Sequence, residues 1–473
     1  MNSQNSENGR ITNLNQVMEH IDIPLLGEEL KSLIKEALVK CSKDTYRKGT
    51  KLIPEFLTFF VIVITLRRDL SYPAVLDWLL CNIRWITCSL PKKLISDGAI
   101  SHARQRLGTD VFSEIFKSMA PKEKELPKDF YNMTSVAFDG TNLTMPDSEQ
   151  NEEEFGTPSG GRGKGGFPQL RSVALLVLSL GTIIDFDYAK YRGKGTGERS
   201  MMNKILNRIT YSGLLLLLDA GLYSFDLLLF CQNNKIKALT KLSNSVKAVK
   251  IPGQNFTDGS YLAFVSKKIK DPERKNKFTT IMITVRIIEY QIPGFRVARL
   301  ITNILDSNIS ARTLALHYHK RWDIELAFDE IKTHQCATLK GQSPTILRSK
   351  KPELIKQELY AIYIAYNVVR KLIQQATKET IKTVREMSFL DSLQCIIDAI
   401  PNMISADKNL CHKQYLYLMD MLSECEIDRP KRNRVNPRVV KVKMSKYKRK
   451  RFSDKSSKRN LEEELQVIGA LVA

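Results

Sequence analysis

The sequence is poor in the residues that metal and cofactor chemistry most often uses. Among 473 residues there are six histidines, three tryptophans and eight cysteines. The cysteines (Cys41, Cys81, Cys88, Cys231, Cys336, Cys395, Cys411 and Cys425) form no CxxC pair, and no two histidines stand at zinc-finger spacing. That argues against zinc-ribbon and dithiol redox readings and fits reduced, mostly buried thiols in a cytosolic protein. A long apolar run is also lacking. The longest, LTFFVIVITL from Leu57 to Leu66, is about half of what a bilayer span needs, so a buried helix is expected and no membrane partner. The start, MNSQNSENGR, has no apolar signal-peptide core, and the expected compartment is the cytoplasm, with association to the nucleoid. The glycine-rich stretch near residue 160 lacks GxxxxGK[ST], which excludes a P-loop. Internal repeats are absent.

What the sequence has in excess is positive charge. The formal net charge is +22 and the pI about 9.5, which points to a polyanionic partner and above all to nucleic acid. The charge is concentrated. Fifteen of the Lys and Arg residues fall between Arg429 and Arg459, against one acid, Asp454. With prolines at 430 and 437 and little apolar periodicity, that stretch reads as a basic arm that gains affinity by displacing counterions from phosphates.

Along the chain the character changes twice. Residues 1 to about 125 read as short helices: an apolar one over Ile53–Arg68, one begun by Pro73, and one capped by Ser96 or Asp97 that carries Arg104, Gln105 and Arg106. Short helices joined by tight turns are compatible with a DNA reader, with Arg104 and Arg106 as candidate contacts, and equally with a small helical bundle. Strand patterns then begin. SVAFDG stops at Asp139, RSVALLVLSL and TIIDFDYAKY flank Gly181, and LLLLLDAGLYS is a continuous apolar run ending at Asp219. The last has the form of a strand buried on both faces. Residues 235 to 310 are β-rich with turn signals, and helices resume after Asn308 to about 425.

Asp139 and Asp219 both stand at the ends of apolar strands, where a carboxylate needs a partner, a turn to cap or a metal. A third acidic residue comes from YHKRWDIELAFDEIK, Tyr318 to Lys332. On a uniform α-helix with Tyr318 at 0°, Arg321 falls at about 300°, Glu325 at about 340° and Lys332 at about 320°. Ile324, Phe328 and Ile331 occupy a neighbouring flank suited to packing, and Asp329, near about 20°, is a rival carboxylate. An i,i+4 pair accounts for Arg321 and Glu325 but not for Tyr318 and Lys332 in the same register. Three carboxylates from two strand ends and a helix would repel one another unless divalent cations join them. Two Mg²⁺ ions (or Mn²⁺) held by Asp139, Asp219 and Glu325 would suit phosphodiester cleavage, with Tyr318, Arg321 and Lys332 on the phosphate backbone.

These residues carry a resemblance. Tyr318-x2-Arg321-x3-Glu325-x6-Lys332 has the spacing of the YREK signature of DDE transposases of the insertion-sequence-four type. AFDGTNLTMPDSEQNEEEFG resembles that family's first-Asp block, LLLLDAGLYS its second, GFPQLRSVALL the strand after the Gly-rich loop, and GAISHARQRLG a stretch of the helical N-terminal domain. Together they cover most of residues 50 to 340 in the family's order. The resemblance implies an α/β fold: a ribonuclease-H-like catalytic core interrupted by a mostly β insertion, preceded by a helical N-terminal domain. The expected layout is a helical DNA-binding domain over 1–125, the core over 126–235 and 309–425, the insertion over 236–308, and the basic arm over 426–473. It also implies catalytic and metal-binding roles for Asp139, Asp219 and Glu325. DNA is the expected partner, as terminal inverted repeats and as target, with a homodimer formed on paired DNA ends. Some members release the element through a DNA hairpin, holding a flipped base on an aromatic, in the best-known ones a Trp of the insertion. Here Trp78, Trp85 and Trp322 all lie outside it, leaving Phe278, Tyr290 or Phe295 as substitutes. The rival readings are a nuclease on the same core and a DNA-binding derivative without catalysis.

Overall fold

The computed structural model describes residues 27–47, 50, 52–81, 95–160, 163–164, 166–243, 245–270, 278–336, 345–378, 380–405, 408–427 and 460–470. Trp85, Cys88 and the basic stretch Arg429–Arg459 lie outside the described residues.

In chain order the main elements are α1 (Gly27–Lys40), α2 (Pro54–Val63), α3 (Tyr72–Leu79), α4 (Asp97–Leu107), α5 (Asp110–Met119), β1 (Thr134–Thr144), α6 (Glu149–Phe155), β2 (Gln169–Val177), β3 (Thr182–Lys190), α7 (Glu198–Arg208) and β4 (Leu214–Leu218). There follow α8 (Phe225–Asn233), β5 (Lys237–Lys241), β6 (Val249–Asn255), β7 (Tyr261–Lys270), β8 (Phe278–Gln291), β9 (Ala298–Thr302), α9 (Ala311–Tyr318) and α10 (Asp323–Asp329). The chain closes with α11 (Pro352–Ala376), α12 (Phe389–Ser405), α13 (Lys408–Glu424), α14 (Leu461–Glu464) and β10 (Gln466–Val467). The result is a mixed α/β protein with a large sheet. The glycine-rich stretch contributes only a two-residue ribbon, Ser159–Gly160 against Gly163–Lys164.

Two compact units draw on alternating segments: 1–125, 140–205 and 326–427 in the first, and 126–139, 206–325 and 428–473 in the second. The first is built around α11. Pro352 opens this helix, where its missing N–H costs nothing, and buried residues run around most of its circumference. It packs against α2, α5, α12, α13 and β3. Local signals fix the smaller helices: Ser71 accepts from the Ala74 amide and Ser96 from the Ala99 amide, and Gly108 ends α4 at φ 82°. β2 and β3 form an antiparallel hairpin that turns at Gly181, φ 66°. The two strands lie in the order β3-β2-β1.

Arg104, expected on DNA, is instead a core residue of this unit. It is fully buried, and its guanidinium donates to Gln357 Oε1 at 2.7 Å, the Tyr72 hydroxyl at 2.9 Å, Ser349 Oγ at 3.4 Å and the Leu354 carbonyl at 3.3 Å. With four of its five N–H groups on protein acceptors and no exposed surface, this guanidinium is out of reach of a phosphate. Arg106, two residues on, is exposed. Beside Arg104 lies the ion pair Arg68–Glu358, 3.3 Å, with both side chains buried.

In the second unit the strand order is β1-β4-β5-β9-β8-β7-β6. β1, β4 and β5 run parallel, and β5, β9, β8, β7 and β6 follow as an antiparallel set. β4 is five consecutive leucines, all buried, as a strand covered on both faces requires. β10 pairs with β8 at Tyr290 and Gln291, and Arg312 donates to the carbonyls of Leu465 (2.5 Å) and Glu462, so 460–470 is docked onto this unit. Arg286, fully buried, donates to Asp258 Oδ2 at 2.5 Å and to Ser260 Oγ at 2.8 Å, and ties the turn before β7 to the start of α9.

At the start of β1, His317 Nε2 lies 2.7 Å from Ser135 Oγ, and its ring stacks on Phe130. Burial first, and then Lys320, depress its pKa to about 3. The folded state therefore keeps His317 neutral where the unfolded chain, near 6.5, takes up a proton. Its contribution to stability is full above pH 6.5 and is lost as the pH falls from there toward 3, at up to about 1.4 kcal/mol per pH unit. His317→Gln should flatten the stability curve by about one proton across that window. Urea unfolding of both proteins between pH 4 and 8 measures it, and parallel curves would refute the assignment.

Candidate active site

The two aspartates are carried by β1 and by the turn after β4. These parallel strands pair Thr134 with Leu214 through Ala137 with Leu217. Two residues beyond the last of these pairs stand Asp139, within β1, and Asp219, the residue after β4; the strand expected to stop at Asp139 runs on to Thr144. Asp139 is half-buried and Asp219 exposed. The turn after β4 is braced: the Asp219 carbonyl accepts from the Leu222 amide at 3.0 Å and from Thr240 Oγ1 at 3.3 Å.

The Tyr318–Lys332 stretch departs from the uniform helix assumed in the wheel. α9 ends at Tyr318, a 3-10 turn runs over His319–Trp322, α10 resumes at Asp323, and a π turn spans Glu330–Gln335. Three residues of 3-10 helix make a full turn, which brings Arg321 closer to the azimuth of Tyr318 than an α-helix would. The packing flank is as expected: Ile324, Phe328 and Ile331 are buried.

Each residue of the stripe has a defined contact. The Tyr318 hydroxyl donates to the Leu218 carbonyl at 3.1 Å, immediately before Asp219, and the ring is buried. Burial pushes the phenol well above its usual range, so it remains a donor. Tyr318, expected to grip the phosphate backbone, thus has its hydroxyl engaged on the strand that carries Asp219. Arg321 is buried and donates from Nη2 to Glu325 Oε1 at 2.8 Å, with its guanidinium over the Trp322 ring at 5.1 Å. Burial opposes the charge on Arg321, but Tyr318, Glu325 and Asp219 together outweigh it and raise the pKa. Lys332, on the π turn, donates to Thr141 Oγ1 at 2.9 Å. Asp329 is exposed and accepts from Thr333 Oγ1 at 2.6 Å, a local pairing across the π turn.

Asp139 and Asp219 offer the carboxylate oxygens that a hard divalent cation takes as ligands. Glu325 is turned toward Arg321. Accordingly, no group of three or more His, Cys, Asp or Glu side chains among the described residues converges closely enough to hold a metal.

Residues 132–368 match the family described as Transposase DDE domain, and residues 21–117 match Insertion element 4 transposase N-terminal. The chain belongs to the insertion element 4 family of DDE transposases. It is similar to transposase InsG for insertion sequence element IS4 of Escherichia coli (strain K12), with 24% identity over 436 residues, 89% of this chain and 92% of that protein. Among solved structures, it is similar to a piggyBac transposase synaptic complex with hairpin DNA, at 10% identity and a TM-score of 0.43, covering 89% of this chain and 87% of that one. That likeness is loose and adds no argument. The transposase is accordingly an enzyme that cuts DNA and transfers strands, of a class that generally depends on divalent metal.

Two further features of the transposase stand near the motifs. The side chain of Glu198, at the start of α7, lies over Gly140, the residue after Asp139. A Cβ on Gly140 would come within 2.6 Å of Glu198 Oε1 and 2.7 Å of Cδ and Cγ. Nothing in the spacing of Glu198 marks it in the sequence, since only the fold brings it to the DGT block. Gly140→Ala is expected to destabilise the transposase by about 1–3 kcal/mol through overpacking, and Glu198→Ala in the same chain should recover most of that loss. Urea unfolding of the two single variants and the double variant gives the coupling, and a strictly additive cycle would refute the contact.

Of the aromatics outside the tryptophans, Tyr290 is buried with its hydroxyl 3.3 Å from His319 Nε2, Phe295 is half-buried, and Phe278 is exposed on β8. No helix among the described residues is long and apolar enough to cross a membrane.

Proposed function

We propose that the transposase cuts the ends of an insertion sequence and joins them to target DNA in one active site formed by Asp139, Asp219 and Glu325. The observation that supports this reading is the parallel register of β1 and β4, which pairs Ala137 with Leu217, two residues before each aspartate. The strand order β3-β2-β1 in one unit and β1-β4-β5 in the other, with β2 antiparallel to β3 and β4 and β5 parallel to β1, supports a ribonuclease-H-like core.

Asp139 and Asp219, joined by Glu325, would hold two Mg²⁺ ions, which when bound supply Lewis-acid stabilisation of the attacking and leaving oxygens of a phosphodiester. The chain's own residues prepare that site. Tyr318 fixes the backbone before Asp219. Arg321 orients Glu325 through the hydrogen bond from Nη2 to Oε1. Lys332 donates to Thr141 Oγ1, two residues beyond Asp139. Water attacks at the end of the element and leaves a 3′-hydroxyl, and that hydroxyl attacks the target strand. Terminal inverted repeats are bound through the helical N-terminal segment, with Arg106 exposed on α4, and through the basic stretch 429–459. A homodimer pairs the two ends, and the exposed Phe278 is the aromatic of the β-rich segment open to a flipped base.

The test is an end-joining assay with paired oligonucleotides bearing the element's own ends and a supercoiled target. Joined product with Mg²⁺ and none with a chelator is the expected result. Cleavage without joining would replace the reading by a nuclease, and metal-independent joining would overturn the metal assignment.

A further inference from the structure

The seven described cysteines are all reduced thiols, and Cys395 and Cys425 lie in contact, Sγ to Sγ 3.8 Å. Cys395 belongs to the second turn of α12 and Cys425 follows the last residue of α13. Both are half-buried, so a small reagent reaches them, whereas Cys231, Cys336 and Cys411 are buried.

We propose that Cys395 and Cys425 are a thiol oxidation site that closes reversibly to a disulfide. The backbone on both sides is already held at this distance. The Cys425 carbonyl accepts from the Ser388 amide at 2.6 Å, the Ile427 amide donates to the Glu386 carbonyl at 2.9 Å, and Met387 and Glu426 form a β-bridge. Lys382 adds an ion pair to Glu426. The residues leading into α12 and those leaving α13 therefore form one frame, and the sulfurs need close only from 3.8 Å to a bond of about 2.05 Å, within reach of side-chain rotation. Met421, whose carbonyl lies 3.3 Å from Cys425 Sγ, leaves the thiol a competing acceptor but no competing sulfur.

The oxidant is a hydroperoxide or a low-molecular-weight disulfide. With a hydroperoxide, one thiolate attacks the terminal peroxide oxygen and becomes a sulfenic acid while the alcohol leaves. The second thiol then displaces water and forms the S–S bond, so two electrons pass to the peroxide and both thiol protons end in products. Burial, and then the neighbouring Cys395, push the Cys425 thiol up to about 11, so the reaction should quicken as the pH rises. In a reducing compartment such a bond is transient. Cys425 stands four residues before Arg429, so the bond would staple the chain to α12 at the root of the basic stretch.

The experiment treats the full chain with hydrogen peroxide or glutathione disulfide, alkylates the remaining thiols, digests it without reductant and maps the peptides by mass spectrometry. The expected result is a peptide pair joined through Cys395 and Cys425, lighter by two hydrogens and separated by dithiothreitol. Cys395→Ser and Cys425→Ser should each abolish it while keeping the melting temperature of the reduced wild type. Recovery of both cysteines separately alkylated under conditions that oxidise any other pair, or pairing of Cys425 with a different cysteine, would overturn the proposal. The wild-type map stands even if a serine variant fails to fold.

Discussion

Asp139→Asn and Asp219→Asn should each lower Mg²⁺-dependent cleavage of the element's ends by about 10³-fold or more, while DNA binding persists. Both substitutions keep the shape of the side chain and remove its charge. Asp139 lies within β1 and Asp219 just after β4, each two residues past the Ala137–Leu217 pair, so either change removes one of the carboxylates proposed to hold the metal. Glu325→Gln removes the charge that Arg321 neutralises in the absence of metal, and a loss of the same order is expected. Asp329→Asn is the control. Its carboxylate accepts from the Thr333 hydroxyl in a local, exposed pairing, so activity of the variant should stay within about twofold. Cleavage is read on labelled ends and binding by anisotropy on the same DNA. Full cleavage by either aspartate variant would remove it from the site, and a large loss in Asp329→Asn would reopen the choice of carboxylate on the helix.

The largest stability effect should come from Glu358. Its carboxylate accepts from Arg68 Nη1, the amides of Arg348 and Ser349 at 3.0–3.1 Å, and the Ser349 hydroxyl at 2.8 Å, with both members of the ion pair buried. Glu358→Ala leaves Arg68 charged and buried without its partner and strands two amides, at a cost of about 3–5 kcal/mol. The exposed pair Lys356–Glu154, at 2.7 Å, has the same chemistry in water, so Glu154→Ala should cost about 1 kcal/mol or less. The midpoints of urea unfolding compare the two directly. Equal losses would show that burial does not govern the Glu358 network.

How much of this was legible in the sequence depended on how local the signal was. The run of leucines before Asp219 announces a strand covered on both faces. The proline in the first turn of α3, the cap of α4 at Ser96 or Asp97 and the glycine between β2 and β3 are equally local and were read in place, whereas the Ser71 cap of α3 was not. The match of Tyr318, Arg321, Glu325 and Lys332 to a family spacing located the helix, but not their contacts. A uniform wheel could not anticipate a 3-10 turn at His319–Trp322 and a π turn at Glu330–Gln335, because both are imposed by packing. Arg104 was misread because an arginine on a helix of a basic protein looks the same whether its partner is a phosphate or Gln357, which lies 253 residues away. Glu198 was missed for the same reason. The pairing of Asp139 with Asp219 was implied by family resemblance and could not be deduced from spacing alone, since a separation of 80 residues becomes a register only once β1 and β4 are known to be parallel neighbours.

The short β10 strand has a consequence for how the chain ends. β7 accompanies β8 only as far as Ile287, and β10 takes up the same side at Tyr290 and Gln291, with the Ile468 amide donating to the Glu289 carbonyl. A bare strand edge there would offer main-chain groups to any other extended peptide, including a second molecule of the same protein. Gly259 makes the closure tight: a Cβ at that position would meet the Ala470 amide nitrogen at 2.5 Å and the Ile468 carbonyl at 2.6 Å. Removing Asn460–Ala470 would therefore expose the main-chain groups of Glu289, Tyr290 and Gln291 along that side of β8 and open a strand edge to aggregation.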